Sequence, residues 1–243
     1  MSLSAIIFDV DGTLADTERY GHRPAFNAAF AEAGLSWHWG ERLYGELLAV
    51  TGGKERIRQF AARHDPGFLA GPDCEQRIVR LHAAKTRHFV RLLETGAIPL
   101  RPGVARLISE ARVAGLRLAV ATTTTPANLA ALLTINLGPT AASWFAVIGA
   151  GDVVTAKKPA PDIYEWVLQR LGLPAGACLA IEDSAYGLAA SLGCGIPTLI
   201  TANDYTLGQN FNGALAVLTD LGGTGLDQIR QLHRLPYGHH KKL

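Results

Sequence analysis

Short apolar runs, separated by longer stretches with helical spacing, restrict the fold of this sequence more than any other feature. The runs occupy residues 5–10, 117–122, 146–150, 178–183 and 198–201. Nearly continuous apolar runs of this length are typical of strands that are buried on both faces, as in parallel sheets. Strands that alternate with helices in this way predict β-α-β units. We therefore expect an α/β fold with a doubly wound parallel sheet.

Residues 17–100 break this alternation, because their apolar residues recur at helical spacing only. One such stripe consists of Ala25, Phe26, Ala29, Phe30 and Ala33. Proline is unfavourable inside a helix, so Pro24 predicts that this first helix begins near residues 22–24. The simplest organisation is a core of residues 1–16 and 101–243 with an inserted α-helical cap of residues 17–100.

Charge and composition exclude several classes of protein. The formal net charge of +2 is too small to indicate a nucleic-acid partner. No apolar stretch approaches the roughly 20 residues of a membrane span, and from the residues at the start of the sequence we expect neither a signal nor a transit peptide. The three cysteines are far apart, which indicates a reducing compartment. We expect a cytoplasmic, monomeric protein whose partner is a small molecule.

Two aspartates, Asp9 and Asp11, accompany the end of the first apolar run. Carboxylates this close repel each other unless a cation or a shared proton intervenes. One of them can attack an electrophile, while the other protonates the leaving group and then activates water. Gly12 allows a sharp turn after them. The alternative is an ordinary Asp-Gly turn in which the carboxylates cap backbone groups.

Polar residues also accompany the later strands. They are residues 122–125 after the second run, Lys157 and Lys158 after the third, and Glu182 and Asp183 at the end of the fourth. Ligands of a doubly wound sheet bind at the carboxyl ends of its strands, so we expect these side chains to converge with Asp9. Together the acidic residues form an all-oxygen set that suits Mg²⁺ and not zinc.

These motifs, in this order, resemble the four motifs of the haloacid dehalogenase superfamily. The matching segments are 9–14 (Asp-Val-Asp-Gly-Thr-Leu), Thr122, Lys158 in Lys-Lys-Pro-Ala-Pro-Asp, and Glu182-Asp183-Ser184. The resemblance covers nearly the whole chain and implies a Rossmann-like core with a helical cap after the first motif. It also implies a phosphatase that works through a phosphoaspartate.

The resemblance assigns a role to each matching residue. Asp9 would attack phosphorus, and Asp11 would act as acid and base. Thr122 and Lys158 would hold the phosphoryl oxygens. Mg²⁺ would be bound by Asp9, the Asp11 carbonyl and Asp183, with Glu182 nearby. The second aspartate argues against dehalogenation, which requires no leaving-group acid at that position.

The threonine run and the lysine pair each contain neighbours that must be told apart. Thr122 matches the family motif, whereas a later threonine is expected to cap the helix that Pro126 announces. The Pro-Ala-Pro-Asp segment identifies Lys158 as the motif lysine. Lys157 is expected to be a solvated neighbour.

Three cap segments resemble the CbbY group of the superfamily: 16–18 (Asp-Thr-Glu), 51–56 (Thr-Gly-Gly-Lys-Glu-Arg) and 82–86 (His-Ala-Ala-Lys-Thr). Members of that group hydrolyse xylulose-1,5-bisphosphate, an inhibitory by-product of RuBisCO, which places them in carbon fixation. A bisphosphate needs a second anion site. Backbone N–H groups and cations at a helix start can provide one. The implied substrate-binding residues are Glu18, Gly52, Gly53, Lys54, Arg56, Lys85 and Thr123.

Some alternatives stay open at this point. The 51–56 segment can equally be a helix start with exposed charges. His22 lies one residue further from Asp9 than the corresponding histidine of relatives, as if residues 20–21 carried an insertion, so it faces either the substrate or solvent. A sugar phosphomutase of the β-phosphoglucomutase kind shares all four motifs and the cap. A non-catalytic regulator that binds sugar phosphates is a further alternative.

Overall fold

The computed structural model describes residues 2–234 and contains a six-stranded parallel sheet. Its strands are β1 (Ala5–Phe8), β2 (Arg117–Ala121), β3 (Phe145–Gly149), β4 (Cys178–Glu182), β5 (Thr198–Thr201) and β6 (Ala216–Leu218). They lie in the order β3-β2-β1-β4-β5-β6, and every neighbouring pair is parallel. All four side chains of β1 are buried, because helices cover both faces of the sheet. The predicted fold class is confirmed.

The sixth strand, β6, is not among the strands predicted from the sequence. β6 has only three residues, and Val217 in its middle is exposed because it lies at the sheet edge. The segment 214–218 (Ala-Leu-Ala-Val-Leu) is nevertheless a continuous apolar run, so the sequence does contain a signal for this strand. Its pairing with β5, Leu199 opposite Ala216, depends on tertiary contact.

Nine helices accompany the sheet within residues 2–234. They are α1 (Arg23–Glu32), α2 (Glu41–Leu47), α3 (Gly53–His64), α4 (Cys74–Glu94), α5 (Val104–Val113), α6 (Pro126–Leu137), α7 (Asp162–Leu171), α8 (Ala185–Gly193) and α9 (Leu226–His233). Short 3₁₀ turns lie at Pro66–Leu69, Ala141–Trp144 and Ala175–Ala177. None of these helices combines the length and apolar character that crossing a membrane requires.

The chain divides into two compact units. The core unit holds the chain up to Asp16 and from Pro99 onward, and the cap unit holds Thr17–Ile98. Pro99 and Leu100, which the sequence assigned to the cap, therefore group with the core. The reason is a local antiparallel bridge between Leu100 and Ala15, which joins the two ends of the interrupted core.

The cap unit is helical, and its centre is aromatic. α1 packs along α4, and Trp39 and Tyr44 are fully buried. Phe26 and Phe30 contact Trp39 with ring centroids 4.6 and 4.8 Å apart. Such ring contacts add packing energy beyond the area that they bury. Ala33, at the end of the predicted apolar stripe, is exposed because α1 ends just before it.

The predicted start of the first cap helix near residues 22–24 is confirmed, because α1 begins at Arg23 with Pro24 in its first turn. A π-helical turn over Glu18–His22 runs directly into α1. The amide of Arg23 donates to the Glu18 carbonyl, five residues back. A π-turn accommodates one extra residue and tolerates a following proline, which has no N–H to donate. Positions 20 and 21, where the sequence suggested an extra residue, lie in this turn.

Candidate active site

The polar residues at the strand ends meet in the core unit around one lysine. Lys158 is buried, and its Nζ donates to Asp9 Oδ1 over 2.7 Å and to Glu182 Oε1 over 2.5 Å. A third bond, of 2.8 Å, runs to the Ala121 carbonyl at the end of β2. Three neighbouring strands, β2, β1 and β4, therefore contribute to one site. It lies where the strand order reverses between β1 and β4, at the switch point of the sheet.

Three buried carboxylates, those of Asp9, Glu182 and Asp183, form the acidic part of this site. One oxygen atom from each lies within 4.8 Å of the other two. The Asp11 carboxylate is not part of this group. Asp11 lies in the turn beyond β1 and is half-buried, so its predicted metal contact would come from its backbone carbonyl.

Burial and mutual repulsion raise the pKa of two of these carboxyl groups. Burial, together with the charges of Glu182 and Asp11, raises the pKa of Asp9 to about 8 against the lowering effect of Lys158. Burial, Asp9 and Glu182 raise the pKa of Asp183 well above its usual range. A cation that kept these groups ionised would relieve the repulsion. The all-oxygen donor set fits Mg²⁺.

Lys158 stays charged in this site. Burial alone would lower the pKa of its ammonium group, but Asp9 and Glu182 outweigh that effect and raise the pKa. The opposite charges and hydrogen bonds thus compensate for the cost of burying the ammonium group.

Tyr164 is a residue of this site that the sequence analysis missed. It is fully buried on α7, and its hydroxyl donates to Glu182 Oε1 over 2.6 Å. Burial and the neighbouring Glu182 raise the pKa of Tyr164 well above its usual value, so the hydroxyl remains a donor. Lys158 and Tyr164 together hold one oxygen of Glu182. The only signal in the sequence is a tyrosine within a predicted helix, which is indistinguishable from a core residue.

Asn203, just beyond β5, is a second missed residue. Its Nδ2 donates to Asp183 Oδ2 over 2.6 Å. Its own Oδ1 accepts the amide of Tyr205 over 2.9 Å, so its amide orientation is fixed locally. Such an outer hydrogen bond orients a metal-ligating carboxylate.

Gly12 packs against the side chains of Asp183 and Asn203. Its φ is +87°, and a Cβ atom there would lie 2.3 Å from Asp183 Oδ2 and 2.5 Å from Asn203 Nδ2. Any side chain would therefore clash with the acidic group, and the backbone conformation itself favours glycine.

The threonines of residues 122–125 differ in their burial and contacts. Thr122 is buried, and its amide donates to the Gly149 carbonyl over 2.9 Å. Thr123 is half-buried in the turn that follows. Thr125 caps α6 by accepting the amide of Asn128, as expected of a later threonine.

Lys157 differs from the expectation of a solvated neighbour. It is only 16% exposed, and its Nζ donates to the Gly151 carbonyl and to Asp152 Oδ1, each over 2.7 Å. These bonds hold it on the loop that follows β3, away from the contacts that Lys158 makes.

In the cap unit, Arg56, Glu18 and Tyr44 form a second polar cluster. Arg56 is buried, and its Nη1 donates to the Tyr44 hydroxyl over 2.8 Å and lies 3.7 Å from Glu18 Oε2. The Tyr44 hydroxyl donates to the same Glu18 oxygen. A buried guanidinium of this kind can bind phosphate through two parallel hydrogen bonds. Tyr44 was not predicted.

The glycines before Arg56 begin α3. Gly52 is the N-cap residue, with φ +100° and no side-chain cap. A Cβ atom on Gly53 would lie 2.6 Å from His82 Nε2, so this chain segment passes close to α4. The carboxylate of Glu55 folds back to Gly52, where a Cβ atom would lie 2.2 Å from Glu55 Oε2. Glu55 thus competes with any anion at this helix start, and Lys54 beside it is half-buried.

His22 and Lys85 form a buried pair in the cap unit. Lys85 Nζ lies 2.7 Å from His22 Nδ1, and the His22 ring stacks on Phe89 with centroids 4.2 Å apart. An ammonium group only donates, so a charged Lys85 would donate to Nδ1 of His22. Neither side chain is solvated, which excludes the solvent-facing alternative for His22.

Comparison with known proteins agrees with this geometry. The model of the haloacid dehalogenase-like hydrolase family matches residues 3–195. The protein CbbY (plasmid) of Cupriavidus necator is 54% identical over 220 residues, which cover 90% of this chain and 86% of the relative. CbbY of Rhodobacter capsulatus is 47% identical and is covered completely, with 96% of this chain.

A solved structure extends the similarity to three dimensions. The crystal structure of CbbY from Rhodobacter sphaeroides in complex with phosphate matches with a TM-score of 0.86 at 46% identity, covering 93% of this chain and 98% of the other. A mutant of the same protein, in complex with xylulose-1,5-bisphosphate, matches equally well.

Family membership follows from the fold, the strand-end site and these similarities. The chain belongs to the haloacid dehalogenase-like hydrolases and, within them, to the CbbY group. It is accordingly a phosphatase-type enzyme, as the sequence predicted.

Proposed function

We propose that this enzyme is a Mg²⁺-dependent phosphatase of a sugar bisphosphate, xylulose-1,5-bisphosphate, and that it works through a phosphoaspartate. The observation that carries the proposal is the buried pair of Asp9 and Lys158 beside Glu182 and Asp183. The substrate is inferred from similarity to a CbbY protein whose structure holds that bisphosphate.

The residues that would hold Mg²⁺ are Asp9, Asp183 and the carbonyl of Asp11, with Glu182 beside them. Their proximity and the raised pKa values of Asp9 and Asp183 support this assignment. When bound, the ion would neutralise charge on the carboxylates and on the phosphoryl group.

In the proposed first step, the Asp9 carboxylate attacks phosphorus while the bond to the sugar oxygen breaks. Asp11 donates a proton to that oxygen as it leaves. In the second step Asp11 takes a proton from water, whose oxygen attacks phosphorus and releases phosphate from Asp9. Lys158 would orient Asp9 and offset charge on the transferring group, and Thr122 would hold one phosphoryl oxygen.

We assign the second phosphate and the sugar hydroxyls to Glu18, Gly52, Gly53, Lys54, Arg56, Lys85 and Thr123. Among these, Arg56 has the strongest support, because it is buried and carries a full positive charge beside the Tyr44 hydroxyl. Glu18 accepts hydrogen bonds and would suit a sugar hydroxyl. Glu55 weakens the case for the Gly52–Gly53 backbone as the main anion contact.

A turnover panel tests the proposal. Phosphate release would be measured with xylulose-1,5-bisphosphate, ribulose-1,5-bisphosphate and β-glucose-1-phosphate, with Mg²⁺ and with excess EDTA. We expect kcat/KM for xylulose-1,5-bisphosphate to exceed the others by at least about tenfold, and EDTA to abolish release.

Three results would contradict the proposal in different ways. Equal turnover of all three esters would contradict the assignment of xylulose-1,5-bisphosphate as the substrate, but not the phosphatase activity. Isomerised sugar phosphate without phosphate release would identify a mutase. Binding of a sugar phosphate without either product would identify a regulator.

A further inference from the structure

The side chain of Arg101 donates hydrogen bonds to backbone carbonyl groups of several loops in the core unit. Arg101 lies two residues after the chain re-enters the core unit at Pro99. Its amide donates to the Leu14 carbonyl over 2.8 Å, beside the bridge between Leu100 and Ala15. Its guanidinium group is buried, with 7% of the side chain exposed.

The guanidinium group reaches the carbonyl groups of three separate loops. Nη1 donates to the carbonyls of Gly12 and Thr201, the latter over 2.8 Å. Nη2 donates to the carbonyls of Ala202 and Thr219 over 2.8 and 2.5 Å. Nε lies 3.4 Å from a carboxylate oxygen of Asp16, which is 45% exposed.

Three of these four carbonyls, all except that of Thr219, lie at the two chain segments that shape the acidic site, after β1 and at the end of β5. Gly12 directly follows Asp11, and its carbonyl also lies 3.5 Å from Asn203 Nδ2. Ala202 directly precedes Asn203, whose amide group holds Asp183. One side chain thus fixes the turn after Asp9 and Asp11 against the loop that orients Asp183.

A stabilising role alone does not require an arginine here. A buried cation stabilises a fold no better than a well-packed apolar side chain in many cases. The planar group with five N–H donors, however, can satisfy several carbonyls in fixed directions, which lysine cannot do.

We propose that Arg101 is a positioning residue for phosphoryl transfer: it holds the Asp9–Gly12 turn and the Asn203 loop in register, without touching substrate. This inference rests on the proposed function for its kinetic consequence only. Its structural consequence, a fixed turn after β1, can be measured without substrate.

The test compares Arg101→Lys with Arg106→Lys. Arg106, on α5 in the same unit, also donates to backbone carbonyls, those of Leu221 and Gly222, over 2.7 and 3.0 Å. Within residues 2–234, its hydrogen bonds run to Glu110 and to the loop after β6 and none runs to the turn after β1, so it is a matched control. Arg101→Gln is the second variant, since it keeps two N–H donors without the charge. The measurements are kcat, KM, thermal unfolding and amide hydrogen exchange of residues 9–15 and 201–206.

For Arg101→Lys we expect kcat to fall about 10- to 100-fold with KM changed less than about threefold, because a small displacement of reacting groups costs this much. Exchange of residues 9–15 should become faster. Arg101→Gln should change both quantities in the same direction, and Arg106→Lys should change neither.

Several results would overturn the proposal. Unchanged exchange in residues 9–15, or kcat within twofold of the wild type, would show that the turn does not need Arg101. Loss of cooperative unfolding in both Arg101 variants would make it a stability residue only. A wild type that releases phosphate from no ester would contradict the proposed function, while the exchange comparison would still decide whether Arg101 fixes the turn.

Discussion

The polar clusters of the core and cap units have opposite charge balance. In the core, three buried carboxylates face one ammonium group, that of Lys158. In the cap, the guanidinium of Arg56 faces one carboxylate, that of Glu18, and a second buried cation, Lys85, lies beside a neutral acceptor. An acidic cluster attracts a metal ion, whereas a cationic one attracts a phosphate.

The two clusters also differ in what holds them. The core residues follow directly from strand ends, so main-chain hydrogen bonds such as Asp9 N–H to the Ile181 carbonyl, over 3.0 Å, set their spacing. The cap residues come from the π-turn, α2 and α3, and side-chain packing around Trp39 and Phe26 sets theirs. From these differences in charge and packing, we expect the core residues to determine the reaction and the cap residues to determine the substrate. Three substitutions test this division.

The largest effect is expected from Asp9→Asn in the core. Removing the proposed nucleophile should lower kcat by more than about 10⁴-fold on every phosphate ester, since an amide cannot form the proposed phosphoaspartate. Rapid-quench measurement of phosphate release would show it. Asp227→Asn, a 92% exposed carboxylate on α9, is the matched control and should leave kcat unchanged. Substantial turnover by Asp9→Asn would refute the phosphoaspartate mechanism.

A selective effect is expected from Arg56→Gln in the cap. Loss of one charge-assisted contact should raise KM for xylulose-1,5-bisphosphate by about 10- to 100-fold. Turnover of p-nitrophenyl phosphate, which has a single phosphate, should stay within about twofold because the chemistry lies elsewhere. Arg58→Gln on the same helix, where Arg58 pairs with exposed Glu75, serves as the control. If kcat falls equally for both substrates, the expectation that the cap determines the substrate and the core the reaction is wrong.

The smallest effect is expected from Asn203→Ala. Without its hydrogen bond, Asp183 should be less well oriented, and the Mg²⁺ concentration for half-maximal activity should rise about tenfold. Activity at saturating Mg²⁺ should largely recover, because the reacting groups remain. Asn210→Ala, which removes a local bond to the Asn212 amide, is the comparison variant. If the Mg²⁺ concentration for half-maximal activity is unchanged, Asn203 does not contribute to metal binding.

Most of the core site follows from local patterns in the sequence. Asp9, Glu182 and Asp183 stand at the ends of apolar runs, and parallel strands bring their carboxyl ends together. The choice of Lys158 over Lys157 rested on the residues that follow, and the structure places only Lys158 at Asp9. Tyr164 and Asn203 escaped notice because nothing in their own neighbourhood distinguishes them.

The sequence by itself determined the α/β class, the order of the motifs and the candidate residues of the reaction. Only the tertiary structure decided which side chains meet Arg56, that His22 pairs with Lys85, and that Arg101 reaches Gly12. The physical reason is one of distance along the chain. Strand and helix periodicity is local, so a sequence displays it. Side-chain partners that are dozens of residues apart are chosen by packing, which leaves no local pattern.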